Sequence, residues 1–272
     1  MASLRLKSTF ALGLAASPAF AQAPAPVTAT SPDGTIVLSV ATNVDGKATW
    51  SLSRKGKLLI SASSLGFILS DGLNMVRGFS IAGSAKASGG ERWEQPWGER
   101  RFVTDKHNEL LVRFRQSDVD GGRLMNVRFR LFDNGFGLRY ELPEQPALKT
   151  MKIADELTEF AVAQPGTAWW IPGGEWNRYE QVYQKTPIDA VSTAHTPITM
   201  RLDDGTHLSF HEAALVDYSA MWLKRISGTT FRSTCRRPPT ATRSSANCHS
   251  LRHGTPSASP TTRRAWSRTT LS

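Results

Sequence analysis

The residues best suited to chemistry in this chain are carboxylates set among aromatic rings. The stretch AWWIPGGEWNRYEQVYQKTP, residues 168–187, places Glu175 and Glu180 beside Trp176 and Tyr179, after a Gly173–Gly174 pair. A carboxylate is a hard oxygen donor that can ligate calcium or move a proton. An aromatic face can stack on a sugar ring while nearby polar groups fix its orientation. A second stretch, GGERWEQPWGER at residues 89–100, repeats the combination with Trp93 and Trp97 among Glu91, Glu94 and Glu99. Loops carried on a rigid scaffold are where such sites form. Each stretch also has a plainer reading, the first as an aromatic cover over a sheet end and the second as edge packing.

Other chemistries lack their parts. HEAAL, residues 211–215, begins like a zinc-protease helix, but position 215 is Leu where a second metal-binding His is required. His211 and Glu212 are therefore expected to end a strand with local hydrogen bonds. No G-x-S-x-G elbow, phosphate loop or zinc-spaced Cys pair occurs. The body histidines are His107, His195, His207 and His211. An acid–base enzyme acting on a sugar would need one of them to share a cleft with a Glu.

The elements that must position these residues are strands. SPDGTIVLSVAT turns at Pro32-Asp33-Gly34 and then alternates through Ile36, Leu38 and Val40. LMNVRFRLFDNGFGLRYELP is the clearest hairpin: Val127, Phe129 and Leu131 alternate with Arg128 and Arg130, Asp133-Asn134-Gly135 turns, and Leu138, Tyr140 and Leu142 return. Similar runs surround Leu110, Val112 and Phe114, and the Asp203-Asp204-Gly205 turn. With no long 3.6-residue period and no fixed repeat, the pattern predicts an all-β, antiparallel sandwich.

The two ends read differently. Residues 1–22 carry Arg5 and Lys7, an apolar stretch and Ala19-Phe20-Ala21, the pattern of a secretory signal peptide. Residues 23–30 read as a linker and 31–232 as the domain. Residues 233–272 hold seven Arg, eight Ser, eight Thr and four Pro, with no Ile, Val, Phe, Tyr or Met. That composition predicts a disordered basic tail, and one that a GC-rich gene read out of frame would give. Both cysteines, Cys235 and Cys248, fall there, where an oxidising compartment could pair them. Of the formal charge of +10, the tail supplies +7 and the signal +2, leaving +1 on the body. A nearly neutral body has no basic face for nucleic acid, and no apolar run is long enough to span a membrane.

As a set, SPDGTIVLSV, SLGFIL, WGERRFVTDKHNELLVRF, VRFRLFDNGFGLRYELP, AWWIPG and DDGTHLSFHEAALVDYSAM resemble the N-terminal domain of glycoside hydrolase family 97, over residues 31–221. The family comprises bacterial α-glucosidases and α-galactosidases. The resemblance implies a β-super-sandwich like that of galactose mutarotase, followed in the family by a catalytic (β/α)8 barrel. It implies export to the periplasm or medium, and α-linked oligosaccharides or galactosides as substrates of the full-length enzyme. It also implies a calcium ion held mainly by barrel carboxylates, with one Glu reaching over from this domain. By position after the WIPG-like segment that Glu is Glu180, with Glu175 as the substitute. One carboxylate cannot fill a shell of about 6–8 oxygens, so this chain alone is expected not to retain calcium, and without the barrel it is expected to be inactive. The resemblance fades after residues 221–224, which matches a frameshift between about 226 and 240. Two other functions stay open on the sequence: a stand-alone aldose mutarotase-like enzyme, and a non-catalytic sugar-binding module using Trp93, Trp97, Trp176 and Tyr179.

Overall fold

A computed structural model of the chain describes residues 25–70, 74–117, 122–146, 148, 150–175, 178–214, 219–235, 249–252 and 266–271. The predicted signal peptide, Trp176 and Cys248 lie outside these residues.

The described residues form strands arranged in three sheets. The first has eight strands, in the order β1 (Val27–Thr30), β2 (Ile36–Thr42), β3 (Ala48–Arg54), β4 (Lys57–Ser64), β11 (Glu159–Val162), β18 (Thr230–Cys235), β17 (Met221–Ser227) and β14 (Thr193–His195). The second has nine: β13 (Gln184–Pro187), β12 (Gly166–Trp170), β15 (Ile198–Leu202), β16 (His207–Ala214), β20 (Trp266–Leu271), β9 (Gly135–Glu141), β8 (Arg123–Phe132), β7 (Phe102–Gln116) and β6 (Phe79–Glu94). A small third sheet joins β19 (His249–Arg252), β10 (Thr150–Glu156) and β5 (Phe67–Leu69). The pairings are antiparallel throughout, as among β1 to β4 and β6 to β9. The all-β sandwich expected from the alternation is what the chain forms.

Alternation sets the core. Along β2 the even positions Ile36, Leu38 and Val40 are fully buried and the intervening side chains are half-buried. Along β8, Met125, Val127, Phe129 and Leu131 do the same from the other sheet. A two-residue side-chain period thus delivers one apolar face per sheet, and the two faces close on each other. Aromatic rings knit them together. Trp50 on β3 lies 5.0 Å from Phe136 on β9. Phe160 on β11 lies 5.8 Å from Trp50 and 5.2 Å from Phe210 on β16.

The outward face of the larger sheet carries ion pairs. Arg128 donates to Glu141 at 2.7 Å and also pairs with Glu109, which accepts from Arg130 at 3.0 Å. Arg139, itself buried, donates to Glu141 at 2.6 Å. Burial works against ionisation of Glu109 and Glu141, but the guanidiniums overcome it and hold both carboxyls below their ordinary range.

The tail differs from its expected disorder in two segments. His249–Arg252 pairs with β10, and Trp266–Leu271 fills the slot between β16 and β9. The first strand of the tail, β18, runs to Cys235 and pairs with both β11 and β17. The composition argument concerned core formation, whereas a slot between two existing strands needs only backbone hydrogen bonds. The rest of 236–265 lies outside the described residues.

Candidate functional site

The carboxylate-bearing loop links two strands at one edge of the nine-stranded sheet. β12 ends at Trp170, the chain crosses Pro172 and Gly173, and it re-enters the sheet at β13. Two features hold the loop's entrance. Gly173 donates its N–H to Thr193 at 2.9 Å. A side chain at that position would press on Ala194 and the Trp222 ring, each 3.3 Å from where its Cβ would sit. Glycine lets the chain pass close to both, and a larger residue would need them to give by a few tenths of an ångström.

Beyond this entrance a three-ring stack forms. His195, at the end of β14, lies 4.4 Å from the Tyr179 ring and 4.7 Å from the Trp222 ring on β17. Tyr179 donates its hydroxyl to the Thr196 carbonyl. The Thr196 hydroxyl donates to Glu212 at 2.5 Å, and the Met221 N–H donates to the other oxygen of the same carboxylate. His195 is only 3 % exposed, and neither ring nitrogen has a hydrogen-bond partner among the described residues. Burial lowers its pKa, against the opposing pull of Glu212, so the ring is neutral at physiological pH. Burial, together with Glu212 and Tyr183, pushes the Tyr179 hydroxyl up.

Glu180 follows Tyr179 directly and is exposed, as are Arg178, Val182 and Tyr183. No hydrogen bond or ion pair holds its carboxylate among the described residues. Glu175 is exposed on the other side of Trp176. The stack thus fixes the loop through Tyr179 and leaves the next side chain free. Among the described residues no group of three or more His, Cys, Asp or Glu is placed to hold a metal.

The other candidates lie elsewhere. Trp93 and Trp97 sit on the ribbon of β6 and β7, at the opposite end of the strand order from β12 and β13. Of the proposed sugar-stacking residues, Trp93 and Trp97 are therefore separated from Tyr179, and Trp176 lies outside the described residues. Among the described residues, His107, His195 and His211 do not form an open acid–base pair. His107 is buried and shares its Nδ1 with Asp105 at 2.7 Å. His195 neighbours Glu212, but the ring is enclosed and both carboxylate oxygens are engaged. His211 contacts the Glu212 carbonyl at 3.1 Å, a local bond as expected, but the Glu212 carboxylate reaches Thr196 and Met221 instead of local partners, and β16 continues to Ala214. The His195 stack was not visible in the sequence, because its three rings come from a loop, β14 and β17.

Comparison with known proteins agrees with this architecture. The family model described as Glycosyl-hydrolase 97 N-terminal matches residues 29–260. A Glycoside Hydrolase Family 97 enzyme from Pseudoalteromonas sp. strain K8, solved in complex with panose, is 37 % identical with a TM-score of 0.79, over 90 % of this chain and 35 % of that one. The same figures hold for a structure of a family 97 enzyme from that strain with acarbose. A β-arabinopyranosidase shares the fold at a TM-score of 0.77 and 20 % identity, over 90 % of this chain and 40 % of that one. A curated relative from Streptomyces bingchenggensis (strain BCW-1), described as a "Probable retaining alpha-galactosidase", is 28 % identical over 207 residues, 70 % of this chain and 31 % of its own. The chain thus spans about a third of the length of these relatives. Its strand order, its enclosed core and the family match over 29–260 lead to one conclusion: the chain belongs to the glycosyl-hydrolase 97 N-terminal family.

Proposed function

We propose that this domain serves a family 97 glycosidase by presenting Glu180 to a calcium ion whose other ligands lie on a catalytic barrel. The carrying observation is the contrast at adjacent residues: Tyr179 is anchored to Thr196 and stacked on His195, while Glu180 is exposed and unengaged. A calcium shell of about 6–8 oxygens accepts such a donor. The solved relatives hold panose and acarbose, which supports α-linked oligosaccharides as substrates of the complete enzyme. Galactosides are the alternative suggested by the Streptomyces relative. The leader-like residues 1–22 support export to the periplasm or medium.

The test is calcium binding by calorimetry. The chain alone is expected to take up no calcium at micromolar concentrations. In the intact Pseudoalteromonas enzyme, Gln at the position aligned with Glu180 should weaken calcium by about tenfold or more. Unchanged affinity there would defeat the proposal.

A further inference from the structure

We infer that the free half of the β6–β7 ribbon is a docking surface for the catalytic part of a family 97 polypeptide, an inference that rests on the reading of this chain as a domain serving a barrel. β7 pairs with β8 only from Asn108 to Gln116, whereas its pairing with β6 continues out to Phe102. Residues 89–94 and 102–107 therefore form a ladder of just two strands, roughly 20 Å long at about 3.4 Å per residue. A two-stranded ribbon on its own is marginal in water.

What the ribbon exposes does not serve the sandwich. Residues 91–102 are all exposed except half-buried Gln95. They include Trp97 at 82 %, Trp93 at 45 % and Phe102 at 45 % exposure. Its internal contacts are an Arg101–Glu94 pair at 2.8 Å, the Arg92 guanidinium 4.4 Å from the Phe102 ring, and the turn bond from Gln95 N–H to the Arg101 carbonyl at 2.8 Å. Exposed pairs of these kinds contribute little. On its other side β6 is the last strand of the sheet. Its small residues Ser84, Ala85, Ala87 and Ser88 are exposed along that edge, while Gly89 and Gly90 make room for His107 and Asp105 of β7.

The chemistry selects the kind of partner. Residues 91–102 balance Glu91, Glu94 and Glu99 against Arg92, Arg100 and Arg101, which gives no single-sign field for a nucleic acid or an acidic membrane. Exposed Trp with Arg is the composition of a protein interface. An oligosaccharide comes and goes and covers one or two rings, whereas a bare ladder needs continuous cover. The Pseudoalteromonas relative supplies the protein mass, since this chain matches 35 % of it.

Hydrogen exchange read by mass spectrometry tests this on two intact proteins. In the dilute chain, amides of 89–94 and 102–107 should exchange on the order of 100-fold faster than those of 108–116. In the intact Pseudoalteromonas enzyme, the aligned ribbon should be protected to the level of its neighbouring strands. Serine at the two positions aligned with Trp93 and Trp97 should remove that protection without changing calcium affinity. Three results would overturn the inference: a ribbon already protected in the dilute chain, an unprotected ribbon in the intact enzyme, or protection unaffected by the serine pair. Protection that appears only with added panose would assign the ribbon to sugar. Protection that rises with chain concentration would assign it to a second copy. Both of these also overturn it. Calcium affinity is read separately, so a failure of the Glu180 proposal leaves a distinct signature.

Discussion

The sandwich body and the β6–β7 ribbon use the same secondary structure to opposite ends. In the body, every second residue of β2, β7 and β8 enters a shared core, and Trp50, Phe136, Phe160 and Phe210 lock the two sheets together. In the ribbon the hydrogen-bond ladder is equally regular, yet its large side chains face water. A ladder alone fixes geometry; burial of apolar surface supplies the stability. The contrast teaches that exposed tryptophans on an otherwise unsupported ladder are there for contact and contribute little to folding.

Substitutions can break or sharpen that contrast. The largest effect is expected for Trp50→Ala, which opens a cavity between the sheets and should cost about 3–5 kcal/mol by denaturant unfolding. Gly166→Ala comes next. Its Cβ would sit 2.2 Å from the Arg201 carbonyl oxygen, where β12 pairs with β15, so a loss of about 1–3 kcal/mol is expected. That change also displaces the strand leading to the Glu180 loop, so limited trypsin cleavage at exposed Arg178 should accelerate.

The ion pairs of the outer face give a smaller, pH-dependent effect. Glu109 and Glu141 titrate below their ordinary values in the folded domain, as does Glu159, which Arg232 contacts at 2.8 Å. A depressed carboxylate pKa gives stability that is present above the unfolded value of about 4.3 and lost as pH falls through the folded one. The melting temperature should therefore be flat near neutrality and drop below about pH 4. Arg128→Ala should cost about 1 kcal/mol at pH 7, solvent screening keeping it small, and should blunt that acid drop. The smallest effect is expected for Trp93→Ser with Trp97→Ser, within about 0.5 kcal/mol of the parent chain. A loss comparable to that of Trp50→Ala would show that the ribbon belongs to the core.

Legibility in the sequence followed burial. The hairpin of β8 and β9 was readable because Val127, Phe129 and Leu131 alternate and Asp133-Asn134-Gly135 turns, as the structure shows for Arg123–Phe132 and Gly135–Glu141. The outer half of β6 was not, since GSAKASGG buries nothing and so shows no period. β20 escaped for a related reason: its place depends on vacant ladders of β16 and β9, which lie far away in the chain. At the site, Glu180 and Tyr179 stood out as a carboxylate beside a ring. The clamp that organises them did not, because His195 meets Tyr179 on one side and Trp222 on the other only through the fold.

We propose that this domain serves a glycosidase whose cleaving carboxylates lie on a separate catalytic domain. The most direct measurement is release of p-nitrophenol from p-nitrophenyl α-glucoside and α-galactoside by the purified chain with calcium present. Release no faster than in buffer is expected. Turnover that scales with the concentration of the chain would contradict it, because the carboxylates needed for cleavage would then have to reside on this domain.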